Sequence, residues 1–348
     1  MASKKIKVGV VGASGYTGSD LVRLAARHPN IEIIALTANT HAGKEMGEVF
    51  PHLGGLDLPK LVTNDEVSWQ ELEAVFCGLP HATSQELISG LPHHLKIIDM
   101  SADFRLRDLE TYAQWYGNTH AAPDLQKEAV YGLSEHYRDE IAGARLVACP
   151  GCYPTAALML LLPLVNAGAV DADDLIIDAK SGVSGAGRSL KQNVLFCEAG
   201  EGMSSYAVGS HRHAPEIEQE LGVVAGRAVT VNFTPHLVPM SRCEYLSVYA
   251  RLSEGMSAST LRGILAERYA DEPFVRVLPE GGPPATQHIR GSNTVLISIF
   301  EDRIPGRVIM FATLDNLVKG SAGQALQNFN LMYGIEETTG LEQVALFP

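Results

Sequence analysis

The chain opens with an apolar run, Lys5 to Val11, that leads straight into Gly12-Ala13-Ser14-Gly15-Tyr16-Thr17-Gly18. A helical pattern follows through Leu21, Leu24 and Ala25 and stops at His28-Pro29. Buried strand, glycine turn and amphipathic helix, in that order at an amino terminus, are the first βα unit of a dinucleotide-binding sheet. Glycines let the backbone approach a pyrophosphate, and the bare helix N-terminus receives its charge. Gly12, Ser14, Gly15, Tyr16 and Thr17 are therefore candidate cofactor contacts. The spacing is G-x-x-G-x-x-G rather than G-x-G-x-x-G, so a glycine-rich turn with no ligand is the alternative.

The second strand, Ile31 to Thr37, leads into Ala38-Asn39-Thr40-His41-Ala42-Gly43-Lys44, with no acid before Glu45. An NAD site ordinarily places a carboxylate there for the ribose 2′-hydroxyl. Hydroxyl, amide and ammonium groups accept a 2′-phosphate instead, so Thr37 and Asn39 point to NADP(H). Strand-like runs at Ala74–Leu79, Lys96–Met100 and Arg145–Ala148, with a helical stretch at Ala82–Leu91, continue a doubly wound parallel sheet. Arg105 follows one strand end and could hold an anion there, or form a surface ion pair.

With 348 residues the chain is expected to hold two domains, and the texture changes after about residue 150. Longer alternating runs at Leu175–Lys180, Val229–Thr234, Glu244–Leu252, Thr294–Phe300 and Val308–Leu314 suit a mixed or antiparallel sheet in a second domain. The net charge of −13 argues against a nucleic-acid partner. No apolar run is long enough for a membrane span, and five cysteines without a regular framework suit the cytoplasm.

Between the two regions lies Cys149-Pro150-Gly151-Cys152-Tyr153-Pro154-Thr155, followed by the apolar run Ala156–Leu162. Pro154 suits a first helical turn, so Cys152 is expected at a helix tip, where free N–H groups and the helix dipole favour a thiolate. Cys152 is the candidate nucleophile. Core packing and a C-x-x-C redox pair with Cys149 are the competing readings. The lack of a second C-x-x-C or C-x-x-H pair to complete a tetrahedron argues against zinc. Further on, His211-Arg212-His213 starts another helix, and Ser181-Gly182-Val183-Ser184-Gly185-Ala186-Gly187-Arg188 forms a glycine-rich loop. A dinucleotide site, a helix-tip cysteine and a histidine suggest reduction of an activated acyl group through a thioester. Capping or surface duty is the alternative for the histidines.

In this order, the glycine turn, Pro150–Ala156, Ser181–Arg188, His211–Ile217 and Asp315–Gly320 resemble the N-acetyl-γ-glutamyl-phosphate reductase family over nearly the whole chain. The resemblance implies NADPH-dependent conversion of N-acetyl-γ-glutamyl phosphate to N-acetylglutamate semialdehyde, with phosphate release, in arginine biosynthesis. It implies an α/β chain with a Rossmann domain over 1–150, completed by a returning C-terminal helix within 316–348. The catalytic and oligomerisation domain over 151–315 would be α+β, of the semialdehyde and glyceraldehyde-phosphate dehydrogenase type. It carries the nucleophile onto Cys152 and the acid–base onto His211, with His213 in reserve or at the substrate. Ser184, Gly185 and Asn316 would approach the cofactor and Arg188 the substrate, a small acyl phosphate, and the chain would form a homodimer or homotetramer. Related reductases acting on carrier-bound aminoadipyl phosphate or aspartyl phosphate are alternatives, as is an NADP-binding sensor without chemistry. The sequence departs from the family at Cys149, commonly Asn or Val, and at Cys243, where glycine commonly follows the arginine.

Overall fold

A computed structural model describes residues 5–348. They divide into two compact units, one running to Pro150 and adding Ser321–Glu342, the other formed by Gly151–Gly320 and Gln343–Pro348. The first unit holds strands β1 (Ile6–Val11), β2 (Ile31–Thr37), β3 (Leu61–Val62), β4 (Ala74–Cys77), β5 (Lys96–Asp99), β6 (Val130–Tyr131) and β7 (Leu146–Ala148). Their order is β3-β2-β1-β4-β5-β7-β6, with every pair parallel. Val8, Val10, Phe76, Ile98 and Val147 are fully buried, as strands covered on both faces require. Helix α1 (Tyr16–Ala25) leaves the carboxyl end of β1, where the strand order reverses and ligands bind in such sheets.

The closing helix of this unit, Gly323–Met332, is buried although it carries Gln324, Gln327, Asn328 and Asn330. Gln324 and Asn328 each donate to the Gly132 carbonyl at 2.8 Å, and Asn330 meets His28 at 3.0 Å. Buried amides with partners are tolerated, and these tie the helix to loops that the sheet alone does not hold.

In the second unit the strands are β8 (Val170–Gly182), β9 (Ser204–Ser205), β10 (Asn232–Val238), β11 (Glu244–Leu252), β12 (Val275–Val277), β13 (Val295–Glu301) and β14 (Arg307–Leu314). The order β12-β13-β14-β11-β8-β10-β9 mixes antiparallel pairs with the parallel pairs β8·β10 and β12·β13. Helix α2 (Cys152–Asn166) packs on this sheet and is buried along its whole length from Tyr153 to Val165, which explains its all-round apolar sequence. Helix α3 (His213–Ala225) packs against α2.

Two strands differ from expectation. β8 extends from Val170 to Gly182 with Ala172, Leu175, Ile177 and Ala179 buried, and the register shift around Asp173 and Asp174 breaks the alternation that would have shown its length in the sequence. β10 runs on through Pro235, where the sequence suggests a stop. The Pro235 carbonyl accepts from Tyr206, so the position that lacks an N–H faces the edge capped only by two-residue β9.

Candidate active site

Cys152 is the first residue of α2, and the N-cap before it is Gly151, extended at φ −65° and ψ 158° with no side chain to cap the helix. The Thr155 hydroxyl and N–H both bond the Gly151 carbonyl at 2.9 Å, closing the first turn. The Gly151 N–H donates to Glu216 Oε1 at 2.8 Å, and Glu216 is buried in α3. A Cβ on Gly151 would lie 2.4 Å from His213 Nε2. The imidazole therefore lies directly against the residue before Cys152, in space that only glycine leaves open. On its other side, a Cβ on Gly320 would come 2.7 Å from the Cys152 Cβ and 3.1 Å from Leu314 Cδ1. Glycines on two sides let the protein close tightly around this cysteine.

The two histidines have different settings. His211 lies in an aromatic cage, with ring centroids of Tyr206, Phe233 and His213 at 5.4, 5.3 and 4.6 Å. Burial, helped by neighbouring Arg212, pushes its pKa down to about 4. Its Nδ1 accepts the His213 N–H at 3.1 Å, so the neutral ring carries its proton on Nε2. His211 is thus a neutral ring whose Nδ1 holds the backbone at His213. The Tyr153 and Tyr206 hydroxyls meet at 3.4 Å beside this cage, and burial raises both above the ordinary tyrosine range.

Asn316 organises the glycine-rich loop. Its Oδ1 accepts the Cys243 N–H at 2.7 Å and its Nδ2 donates to Ser184 Oγ at 3.1 Å. A Cβ on Gly185 would lie 2.8 Å from Ser181 Oγ and 3.8 Å from Asn316 Nδ2. Asn316, far along the chain, is thus brought onto the adjacent Ser184 and Gly185, while Arg188 is exposed farther along the same loop.

In the first unit, Gly12 has φ +77°, and its would-be Cβ strikes the Gly78 carbonyl at 2.5 Å. Gly18 is needed for close packing, with the Gly12 carbonyl 2.4 Å from its would-be Cβ. Gly15 is different: it caps α1 without a side-chain hydrogen bond, and a Cβ there would meet only the Gly12 carbonyl at 3.6 Å. Protein packing does not demand that glycine, and its open side leaves the helix tip accessible to an anion. Ser14 and Thr17 flank it, and Tyr16 is partly exposed beside them.

Thr37 stands apart from that cradle. It is 2% exposed and its hydroxyl accepts the Gly12 N–H at 3.4 Å, so it props the turn from beneath, while Asn39 and Lys44 are exposed beyond it. Arg105 is also buried, with Nε donating to the Cys149 carbonyl at 2.8 Å and Nη2 to the Met100 carbonyl at 3.2 Å. Its guanidinium clamps two strand ends. Cys149 itself is 1% exposed, receives Asn328 Nδ2 at 3.6 Å, and is pushed up to about 12 by burial. A thiol so placed is inert, which weighs against the redox pair with Cys152.

Glu216, Glu244, Tyr206 and Gly320 are not singled out by any motif in the sequence. The one local signal for Glu216 is its position three residues after His213 on a helix, which sets both side chains on one face.

Residues 7–144 match the family described as semialdehyde dehydrogenase, NAD binding domain, and residues 152–316 match semialdehyde dehydrogenase, dimerisation domain. The N-acetyl-gamma-glutamyl-phosphate reductase of Rhodospirillum rubrum is 56% identical over 99% of this chain and 100% of its own length. A probable chloroplastic N-acetyl-gamma-glutamyl-phosphate reductase of Arabidopsis thaliana is 52% identical over 99% of this chain and 86% of its own. Among solved structures, aspartate semialdehyde dehydrogenase with NADP from Candida albicans superposes with a TM-score of 0.68. It covers 95% of this chain and 99% of its own, and at 18% identity it speaks to the fold alone.

Proposed function

The chain belongs to the N-acetyl-γ-glutamyl-phosphate reductase family, and from that premise we propose how its residues divide the work. The reaction is reduction of N-acetyl-γ-glutamyl phosphate to N-acetylglutamate semialdehyde, a step of arginine biosynthesis, and its cofactor site lies in a nicotinamide-dinucleotide domain.

The Cys152 thiolate attacks the acyl carbon, the bond to the phosphate oxygen breaks, and phosphate leaves with the electron pair and takes up a proton. The resulting thioester would accept a hydride, the chemistry that a dinucleotide held at the α1 tip would supply. The carbon–sulfur bond of the tetrahedral adduct then breaks, returning the thiolate and releasing the aldehyde. His213 is the acid–base in this reading, and His211 orients it. The observation that carries the reading is the His213 imidazole lying against Gly151, held in place by the Glu216–Gly151 bond. Arg188 is proposed for the substrate anion, with Arg105 shaping the Cys149 end of the first unit.

For the cofactor, the open side of Gly15 and the bare tip of α1 fit a pyrophosphate. Exposed Asn39 and Lys44, without a carboxylate before Glu45, favour the 2′-phosphate of NADP. A homodimer or homotetramer is part of the proposal. It is supported by the match to a dimerisation domain and by the exposed side chains of Leu190, Phe196 and Met203. Among the described residues no helix is long and apolar enough to cross a membrane. A cytoplasmic setting is proposed because a nucleophilic thiol needs a reducing compartment.

Cys152→Ser tests the mechanism. It is expected to lose more than about 10⁴-fold of kcat while NADPH binding, followed by nicotinamide fluorescence, is unchanged. Turnover within about tenfold of wild type would end the thioester route.

A further inference from the structure

β11 begins at Glu244, and its buried face runs Glu244, Leu246, Val248, Ala250, all at 0% exposure. Period-two alternation puts the Glu244 side chain on the same face as those apolar residues. The strand pairs Glu244 with Leu314 on β14 and Ser181 on β8, and α2 contacts both β11 and β14. Leu314 Cδ1 and the Cys152 Cβ crowd the same point above Gly320, so Cys152 sits over this end of the sheet. Neither carboxyl oxygen of Glu244 accepts a hydrogen bond of ordinary geometry from any described residue. The Cys152 side chain lies close enough to act on its ionisation. An ionised carboxylate so enclosed carries a large desolvation penalty, whereas a neutral carboxyl needs only an acceptor for its proton.

We propose that Glu244 is a further catalytic residue of this site, a protonated carboxyl whose O–H donates to the Cys152 sulfur. Carboxyl and thiol then hold one negative charge between them, on sulfur. When sulfur attacks, its electron pair forms the carbon–sulfur bond, and the Glu244 proton stays on its carboxyl oxygen. When that bond breaks after reduction, the pair returns to sulfur and the same O–H receives it. The proton is conserved through the cycle, and Glu244 stabilises the leaving thiolate.

The groups facing the carboxyl agree in direction. Burial pushes Glu244 up to about 8, the Asp315 carboxylate adds to the rise, and Cys152 pulls the other way. Arg242 pairs with Asp315 at 3.5 Å. The Tyr153, Tyr206 and Cys243 groups that feel the Glu244 charge are themselves held protonated by burial. A carboxyl raised in this way is neutral below about pH 8 and ionised above it. Above that point it presents a second negative charge to the thiolate.

This inference rests on Cys152 being the nucleophile, and alkylation of its thiol separates the two claims because it needs no turnover. Iodoacetamide labelling of Cys152, read by peptide mass spectrometry across pH, is expected to follow two steps in wild type, as a coupled pair does. Glu244→Gln should leave a single step and should lose the decline of kcat above about pH 8. Glu244→Leu, which has no donor, should lower kcat by about 10- to 100-fold near neutral pH. Identical labelling profiles in wild type and Glu244→Gln would overturn the pairing. Should Glu244→Gln not fold, difference infrared spectroscopy of wild type decides. A neutral-carboxyl band near neutral pH that shifts when Cys152 is alkylated is expected, and its absence overturns the proposal. If Cys152→Ser keeps its turnover, the thioester reading fails instead, whatever the labelling shows.

Discussion

The tips of α1 and α2 are built alike and used differently. Each follows a strand of the first unit's sheet in sequence, each has an extended glycine as N-cap, and neither receives a side-chain cap. At α2 the space beside the glycine is already taken: His213 Nε2 lies 2.4 Å from the would-be Cβ of Gly151, and Glu216 holds its N–H. At α1 the space beside Gly15 is open, with its nearest neighbour at 3.6 Å. A helix tip can therefore be closed by the protein's own side chains or left open, and we propose the first for the reaction centre and the second for the cofactor's pyrophosphate. What separates the two is whether the protein's own packing requires the glycine.

Alanine at each tip should break the symmetry. Gly151→Ala forces its methyl into the His213 ring and is expected to lower kcat by about 10²- to 10⁴-fold, the span of a lost general acid–base. NADPH affinity should be unchanged. His213→Asn should reproduce the loss, and a far greater effect of His211→Asn would instead make His211 the acid–base. Gly15→Ala should fold normally and raise the NADPH Kd by about tenfold, the equivalent of about 1.4 kcal/mol, with kcat retained at saturation. If Gly15→Ala binds NADPH as wild type does, the open side of that turn is not a phosphate cradle. Fluorescence titration and steady-state kinetics on the same preparations read both halves.

A finer test concerns which dinucleotide the cradle prefers. Asn39→Asp places a carboxylate where a 2′-phosphate is expected, and at about 4 Å in a solvated site the repulsion is about 1 kcal/mol. The ratio of kcat/KM for NADP over NAD should fall about fivefold. A wild-type enzyme that already prefers NAD would overturn the assignment. Thr37 is the wrong place for this substitution, because its buried hydroxyl accepts the Gly12 N–H and a charge there would disturb the turn itself.

What could be read from the sequence follows from how local each signal is. The strand–glycine–helix unit and the Cys152 helix tip are set by neighbours within a few residues, so glycine, proline and apolar period declare them. The sequence also brings His211 and His213 forward as a pair, ranked only by the family resemblance, which puts His211 first where we propose His213. Rank depends on the cage of Tyr206 and Phe233 around one ring and the contact with Gly151 at the other. Glu244 is illegible for a different reason. At the head of an alternating strand a glutamate reads as a solvated edge residue, and only the packing of α2 over that end of the sheet makes it a buried acid beside sulfur. Arg105 differs again, since a basic residue after a strand end reads as an anion site or a surface ion pair, and only the structure shows that it also holds the Cys149 and Met100 carbonyls.

The smallest effect is expected at Cys243, where glycine commonly stands in the family. The residue has φ +85°, a conformation that a side chain enters at a cost of about 1–3 kcal/mol. Its N–H is fixed on Asn316 Oδ1, and its side chain packs with Ile289 and Leu296 at 1% exposure. Two terms therefore oppose each other in Cys243→Gly: relief of backbone strain, and loss of a buried CH₂–SH group worth about 1–2 kcal/mol. They nearly cancel, so the denaturant midpoint should move by less than about 1 kcal/mol in equivalent free energy. Cys243→Ala keeps the strain and loses the sulfur, so it should be less stable than the glycine variant. Cys243→Val adds a β-branch at positive φ and should be the least stable of the three. An alanine variant as stable as the glycine one would mean that the backbone at Cys243 stores no strain, and the Asn316 hydrogen bond alone would then fix this turn.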